Sequence, residues 1–362
     1  MSTTTTTPNL VQLTNFHKKD IRSLSKDQLN DLVASLSAPK FTAKQIYQWL
    51  WEKGAHSFDE MTNLSKALRS KLEEQYVINQ ITEDTIQKSN DGTIKSRYRL
   101  HDDNLIESVL IPVPKDDRYT VCVSSQVGCS LTCSFCATGK MKRVRNLDPA
   151  EIYDQVFLVN KQALETFDHP LTNIVYMGMG EPLLAYNNVL KSIELICSPE
   201  GLNMSPRRIT VSTAGIAKMI RKLADDQVRF NLALSLHAAD DEKRNEIMPI
   251  NESNNLKELE AAIEYFYKET KNRISYEYIA FQNFNDSLDD AKNLAWLCKR
   301  YPVKVNIIEY NPIDGADFVK SDKDRIDIFA QYLKNQGIMT TVRRSRGKDI
   351  DAACGQLANK GK

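Results

Sequence analysis

The alternation of hydrophobic and polar positions differs between successive stretches of the chain. In residues 16–78 apolar residues recur at helical spacing, and Ser25, Thr42 and Asn63 precede these runs as candidate N-terminal caps. This pattern predicts an accessory module of three helices. The Thr-rich residues 1–15 have no such periodicity, which indicates a disordered tail.

Residues 79–113 change to a period of two. Polar and apolar residues alternate through 94–100 and 105–111, with turn-forming residues at 90–92 and 102–104. Alternation bounded by Asn, Asp and Gly is typical of antiparallel strands. This stretch is therefore predicted to be a short β-hairpin extension.

In residues 114–348 candidate strands and helices alternate, and a last strand at 339–343 can close the sheet edge. The strands are predicted at 120–124, 173–177, 208–212, 230–236, 274–280 and 304–309, and the helices at 149–166, 187–197, 216–224, 256–271, 288–300 and 322–336. Six strand–helix units indicate an α/β core whose parallel sheet curls into a partial (β/α)6 barrel. Functional groups should then collect at the carboxyl ends of the strands.

Composition narrows the class of protein. The 362 residues include 48 basic and 47 acidic side chains, so RNA binding would have to depend on local basic patches. The absence of a run of about 18 apolar residues argues against a membrane span. Seven cysteines without a secretory signal are expected to be reduced thiols in the cytoplasm.

Three of these cysteines are closely spaced after the first core strand. Cys129, Cys133 and Cys136 form a C-x3-C-x2-C pattern with no fourth Cys or His nearby. A structural zinc site needs four ligands, whereas three soft thiolates suit a four-iron cluster with one open iron. A cluster is therefore favoured over zinc or simple packing.

Polar residues follow other core strands in the same way. The second strand leads to Gly180 and Glu181, and the third ends near Ser212. Each of these features alone is ordinary turn chemistry. Together with residues 235–237, in which the fourth strand ends, and Asn311, which follows the sixth strand, they predict one shared cavity.

The other four cysteines fall into two groups. Cys197 and Cys298 lie in helical stretches among apolar residues and are predicted to be core residues. Cys122 lies on the first core strand, seven residues before Cys129. Cys354 lies in a Gly-rich and charged segment, 349–362, where a reactive nucleophile is plausible.

Four strings resemble the RlmN/Cfr family of radical S-adenosylmethionine (SAM) RNA methyltransferases: CVSSQVGCSLTCSFC at 122–136, GMGEPL at 178–183, SLH at 235–237 and RGKDIDAACGQL at 346–357. The resemblance covers nearly the whole chain. It implies a radical SAM core, an N-terminal RNA-binding domain and one [4Fe-4S] cluster on the three closely spaced cysteines. It also implies a SAM site formed by Gly180, Glu181, Ser212, Ser235, Leu236, His237 and Asn311.

The resemblance further implies a radical mechanism that uses two SAM molecules, because adenine C2 is an electron-poor carbon. Cys354 would accept a methyl group as S-methylcysteine, and a 5′-deoxyadenosyl radical would remove a hydrogen atom from that group. After addition to the ring, Glu107 would act as proton acceptor. Cys122 would then release the RNA through a transient disulfide with Cys354.

The implied substrates are 23S rRNA at the peptidyl-transferase centre and the adenosine 3′ to the anticodon in some tRNAs. A rim for RNA phosphates is predicted from two basic runs, with Lys140, Lys142, Arg143, Arg145, Arg344 and Arg346. We expect a monomer that receives electrons from flavodoxin and its reductase. One alternative is a C8-methylating enzyme of the Cfr type, and another is an iron–sulfur RNA-binding or redox-sensing protein without turnover.

Overall fold

The structure is a computed structural model that describes residues 18–360, so the predicted tail at 1–15 lies outside the described residues. The chain forms two compact units, the first ending at Asn79 and the second beginning at Gln80. Among the described residues, no helix has the length and apolar run that crossing a bilayer requires.

The first unit contains the three predicted helices, α1 (Lys26–Ser35), α2 (Thr42–Trp51) and α3 (Lys66–Gln75), and a short parallel pair, β1 (Lys19–Asp20) with β2 (Tyr76–Val77). Ser25 caps α1 as predicted, since its hydroxyl accepts the Gln28 N–H at 3.1 Å. The predicted caps at Thr42 and Asn63 are wrong. Helix α2 begins without a side-chain cap, and Ser65 caps α3.

The second unit is built on a ten-stranded sheet in the order β14-β13-β12-β11-β10-β9-β6-β5-β4-β3. Three antiparallel strands form one side: β3 (Thr82–Lys88), β4 (Ile94–Arg99) and β5 (Leu105–Val113). The remaining strands are mutually parallel: β6 (Arg118–Cys122), β9 (Asn173–Tyr176), β10 (Ile209–Thr213), β11 (Asn231–Ser235), β12 (Ile274–Ala280), β13 (Lys304–Glu309) and β14 (Met339–Arg343). A separate antiparallel ribbon pairs β7 (Gln126–Val127) with β8 (Arg145–Asn146).

Helices cross over between the parallel strands: α4 (Pro149–Phe167), α5 (Tyr186–Cys197), α6 (Ala217–Asp225), α7 (Asp241–Ile247), α8 (Leu256–Thr270), α9 (Leu288–Leu297) and α10 (Lys323–Asn335). The predicted α/β core is confirmed, and β12, β13 and β14 coincide with their predicted bounds. Helix α7 and strand β3 were missed. Both are rich in polar residues, and neither has the apolar periodicity that marks a core element.

The core lies between the parallel strands and these helices. Tyr176 on β9, Val211 on β10, Leu232 on β11 and Ile307 on β13 are fully buried. Because strands buried on both faces leave only their ends accessible, the loops at the carboxyl ends carry the polar side chains of the candidate site.

Candidate active site

The three closely spaced cysteines lie in the loop that follows β7. Cys129, Cys133 and Cys136 are each half-buried. The loop is attached to the end of helix α7, because the Ser134 N–H donates to the Ile247 carbonyl at 3.1 Å. We call this segment, residues 128–138, the cysteine loop.

The cysteine loop packs on an apolar cluster. Cys133 and Cys136 lie against buried side chains that include Ile247, Met248 and Phe281. Burial raises the pKa of Cys129 to about 11 and also raises the pKa values of Cys133 and Cys136. The charge of Cys136 raises the pKa values of Cys129 and Cys133 further. Without metal the thiols therefore stay protonated, and metal binding must displace these protons.

The donor set fits a cluster better than a single ion. Within residues 18–360, no three His, Cys, Asp or Glu side chains converge closely enough to hold one metal ion. The three thiols nevertheless share one apolar loop and interact electrostatically. Soft thiolates in apolar surroundings suit iron–sulfur chemistry.

The turn after β9 carries Glu181, which is 3% exposed. Its carboxylate accepts N–H groups from Ala214 at 2.8 Å and Leu183 at 3.0 Å, and burial raises its pKa. Two backbone bonds fix the orientation of this carboxylate and leave it further capacity to accept from an ammonium group.

Gly180 brings this turn against the ribbon strand β7. Its φ is +94°, and an added Cβ would lie 2.4 Å from the Cβ of Gln126. Gln126 in turn accepts the Glu181 N–H at 2.9 Å. Only glycine allows this close approach, so Gly180 positions Glu181 beside the cysteine loop.

The ends of β10 and β11 bring the predicted serines together, with the Ser212 and Ser235 hydroxyls 3.3 Å apart. Leu236 and His237 are buried, and the His237 ring meets that of Phe135 edge-on at 4.8 Å. Burial, assisted by the charge of Arg244, lowers the pKa of His237 to about 3. His237 is therefore neutral at physiological pH.

The C-terminal segment, residues 352–360, lies across the cysteine loop. Gly355 and Leu357 accept hydrogen bonds at 2.8 Å from Ala137 N and at 2.6 Å from the Thr138 hydroxyl. Asn311, after β13, donates to the Cys354 carbonyl at 3.4 Å. Residues that are distant in sequence thus place Cys354 next to the three cysteines.

Cys354 is an exposed residue, and desolvation by the surrounding protein raises the pKa of its thiol. Arg343, which pairs with Glu277 at 3.3 Å, lowers this pKa, and Glu277 raises it. Cys122 is buried, and desolvation followed by the charge of Cys354 raises its pKa to about 12.

Cys122 and Cys354 are close enough to interact electrostatically, although all seven cysteines are free thiols. The structure therefore gives no support for a standing disulfide. Cys298 is buried as expected of a core residue, whereas Cys197 is only half-buried.

Glu107 lies on β5 and is 1% exposed. It pairs with Lys95 at 3.3 Å and accepts the N–H groups of Ala358 at 2.9 Å and Asn359 at 3.2 Å. Glu107 therefore contacts the same C-terminal segment that carries Cys354. Val109, two residues along β5, lies opposite Cys122.

Two cations of the predicted RNA rim have partners within the protein. Arg145 binds both oxygens of Glu151 at 2.8 Å and also Asp102 at 2.6 Å. Lys140 donates to the Asp314 carbonyl at 2.9 Å. These contacts give both side chains a structural role in this conformation.

Of the other four residues of the predicted RNA rim, Arg344 and Arg346 also have partners within the protein. Arg344 pairs with Glu309 at 2.7 Å, and Arg346 donates to the Pro112 carbonyl. Lys142 and Arg143 are exposed. Lys140 and Arg344 are exposed as well, and Arg143 donates to Asn146 at 3.0 Å, so the rim of six cations stays a prediction. Lys142 and Arg143 are the two that form no ion pair and no bond to a backbone carbonyl among the described residues.

Sequence reasoning missed Arg244, a fully buried residue on α7. Its guanidinium binds the Ala214 and Leu236 carbonyls at 2.5 and 3.0 Å. The one sequence signal for helix α7 was Asp240 as a possible N-terminal cap. In the structure its side chain accepts the Lys243 N–H at 3.0 Å. That signal was weak because the helix is short and charged.

Comparison with known families gives two matches along the chain. Residues 19–78 match the family described as ribosomal RNA large subunit methyltransferase N-terminal domain, and residues 123–295 match the radical SAM superfamily. The superfamily implies a [4Fe-4S] cluster and SAM as cofactors.

Individual relatives match over almost their full length. The probable dual-specificity RNA methyltransferase RlmN of Flavobacterium johnsoniae is 56% identical, over 95% of this chain and 98% of its own. The dual-specificity RNA methyltransferase RlmN of Nautilia profundicola is 42% identical, over 89% and 93%. A radical SAM methyltransferase from Sphaerobacter thermophilus superposes with a TM-score of 0.89 at 40% identity, covering 94% of this chain and all of that one.

Proposed function

Because this chain belongs to the RlmN family of radical SAM RNA methyltransferases, we propose that it methylates adenine C2 in 23S rRNA and in a subset of tRNAs, with Cys354 as methyl carrier. The positions proposed are the peptidyl-transferase centre and the adenosine 3′ to the anticodon. The observation that carries the proposal is the attachment of the C-terminal segment to the cysteine loop, through Ala137 and Gly355 at 2.8 Å.

Cys129, Cys133 and Cys136 would hold the cluster, and the ends of the parallel strands would hold SAM. When bound, the cluster and SAM supply the radical that activates a methyl group on sulfur. The SAM contacts proposed here are Gly180, Glu181, Ser212, Ser235, Leu236, His237 and Asn311.

Cys354 carries the methyl group as a thioether on an accessible side chain, while Asn311 holds its backbone at 3.4 Å. Arg343, at the end of β14, and Glu277, in the middle of β12, lie close enough to act electrostatically on the thiol. Since a thiolate is the nucleophile, the Arg343 cation favours the reactive form of Cys354.

Cys122 is the proposed resolving thiol. Its thiolate attacks the Cys354 sulfur, so that a sulfur–sulfur bond forms and the bond from that sulfur to the RNA-linked carbon breaks. The electron pair of the broken bond stays with that carbon, which takes up a proton and becomes the methyl group. This step requires the two Cα atoms to come within about 7 Å. The electrostatic effect of Cys354 on Cys122 supports such proximity.

Glu107 is the proposed acceptor for the proton that leaves the adenine ring. Its Oε2 atom accepts two amides of the C-terminal segment, from Ala358 and Asn359. To receive a proton from a substrate, this oxygen must exchange one of those contacts. Proton uptake on Oε2 would therefore accompany a small shift of the C-terminal segment, whereas uptake on Oε1 would weaken the pair with Lys95.

Nucleoside mass spectrometry tests the proposal. The reconstituted protein is incubated with an rRNA fragment or tRNA, SAM and a reductant, and the variant C354A serves as control. We expect C2-methyladenosine from both RNAs and none from C354A. Product at C8 would assign the Cfr-type activity, and no product from iron-loaded protein would favour a non-catalytic role.

A further inference from the structure

Arg244 is the largest fully buried side chain of the described residues. It lies on helix α7, whose last residue, Ile247, receives the Ser134 N–H of the cysteine loop at 3.1 Å. On the helix, Arg244 is therefore within one turn of the residue to which the cysteine loop attaches.

All of its hydrogen bonds go to neutral oxygens. They connect the ends of β10 and β11 with the turn after α7, namely Ala214 O at 2.5 Å, Ser235 O at 3.2 Å, Leu236 O at 3.0 Å and Asn251 Oδ1 at 2.5 Å. Ala214 also donates its N–H to Glu181 at 2.8 Å. Arg244 thus holds the strand ends that carry the proposed SAM contacts.

The Arg244 guanidinium has no direct contact with an acidic side chain in the described part of the chain, and Asp241, which acts on it electrostatically, is separated from it by Asn251. Among residues 18–360, no carboxylate forms an ion pair with this guanidinium, whereas Lys243 on the same helix pairs with Asp290 at 2.5 Å. A buried charge without a partner is strongly unfavourable, so proteins rarely retain one.

Electrostatics connects this cation to the cysteine loop. Burial lowers the pKa of Arg244 to about 10, so it stays charged at neutral pH, and Cys133 and then Asp241 act in the opposite direction. In turn Arg244 lowers the pKa of Cys133. Cys133 packs on the apolar cluster that contains Ile247 at the end of α7, so the cysteine loop lies against the helix that carries Arg244.

We propose that Arg244 is a positioning residue whose buried charge compensates the anionic cluster on Cys129, Cys133 and Cys136, while its hydrogen bonds fix the ends of β10 and β11. The inference rests on the function proposed above, because it requires a cluster on this loop. A cluster held by three thiolates is negative overall, and a fixed cation beside it stabilises its reduced state more than its oxidised state.

The reduction potential of the cluster tests this role in the full chain, reconstituted anaerobically with iron and sulfide and titrated by EPR. The variants are R244Q, which removes the charge, R244K, which keeps it with fewer donors, and K243Q, which removes a neighbouring charge already neutralised by Asp290. For R244Q we expect the ratio of reduced to oxidised cluster at a fixed potential to be at least tenfold lower. For a one-electron couple this corresponds to a reduction potential that is lower by about 59 mV. R244K and K243Q should stay within threefold of the unsubstituted protein.

Each outcome has a defined meaning. If the unsubstituted protein takes up no iron, the proposed function fails. If it loads but R244Q keeps its potential, or R244K falls as far as R244Q, only the present inference fails. Circular dichroism shows whether R244Q folds. If it does not, R244K alone decides: a tenfold change in its ratio of reduced to oxidised cluster would show that the charge of residue 244 does not set the reduction potential. Iron uptake by R244K but not by a folded R244Q supports the proposed role of the charge.

Discussion

The backbone N–H of Ala137 donates to the carbonyl of Gly355 at 2.8 Å, and each of these residues directly follows a cysteine of the candidate site. The bond joins the cysteine loop to the C-terminal segment beside Cys136 and Cys354. The position of Cys354 therefore depends on how firmly its segment is held against this loop.

Thr138 provides a direct test of that attachment. Its buried hydroxyl donates to the Leu357 carbonyl at 2.6 Å. T138A should release the segment at a cost of about 1 kcal/mol and lower the methylation rate several-fold. T138S keeps the hydroxyl, so both the attachment of the segment and the methylation rate should stay close to those of the unsubstituted protein. Hydrogen exchange of residues 352–360 checks the expected loosening, and equal protection in both variants would contradict it.

Loss of Cys122 should trap the enzyme on its substrate. In C122A no thiol can attack the Cys354 sulfur, so RNA should remain covalently attached through the methylene bridge. A denaturing gel with labelled RNA checks this outcome. C197A removes a half-buried cysteine of α5 and serves as control. Free methylated RNA from C122A at the unsubstituted rate would refute the resolving role.

Gly180 should tolerate no side chain. G180A would add a Cβ 2.4 Å from Gln126, at a φ of +94°. We expect a loss of about 2–4 kcal/mol in the free energy of unfolding and weaker SAM binding, measured by denaturation and calorimetry. G337A has a φ of +77° but no atom within 4 Å, so it measures backbone strain alone. If G180A and G337A lost the same free energy of unfolding, the close approach of Gly180 to Gln126 would not be what makes glycine necessary.

Elements with strong periodicity could be predicted from sequence, whereas polar short ones could not. Strand β12 was predicted with its observed bounds because its apolar residues form a buried run. Helix α7 was missed because tertiary contacts, rather than an apolar stripe, stabilise it. Its Arg244 makes bonds to β10 and β11 that no local pattern encodes.

The candidate site divides in the same manner. The spacing of Cys129, Cys133 and Cys136 indicated a shared loop, because their proximity is local in sequence. The basic runs in the sequence were a weaker guide to which cations are available for RNA. Arg145 appears in a basic run like Lys142, but only the structure shows its two bonds to Glu151 at 2.8 Å. Which cations of a basic run have partners within the protein therefore depends on contacts between residues that are distant in sequence, such as that of Arg344 with Glu309.

Glu309 should contribute stability with a defined pH dependence. Its buried carboxylate binds Arg344, Lys348 and Lys320 at 2.7–3.2 Å, and these cations hold its pKa at about 2 against an ordinary 4.5. The contribution should be complete above about pH 4.5 and disappear as the pH falls towards 2, because the unfolded chain takes up the proton first. In urea unfolding, E309Q should be less stable by a constant amount from pH 5 to 8, with a smaller difference at pH 3. If the stability difference between the unsubstituted protein and E309Q instead grew at low pH, the stabilising role of the ionised Glu309 would be contradicted.

The exposed cations after the cysteine loop should bind RNA, and the partnered one should not. Replacing Lys142 and Arg143 by Gln removes two exposed charges. We expect weaker binding and a salt dependence whose slope falls by about 2, with unchanged thermal stability. R145Q instead breaks the pairs with Glu151 and Asp102 and should mainly lower stability. Filter binding across a salt series together with thermal melts separates the two effects. An unaltered slope in the double variant would place the phosphate contacts elsewhere on the protein.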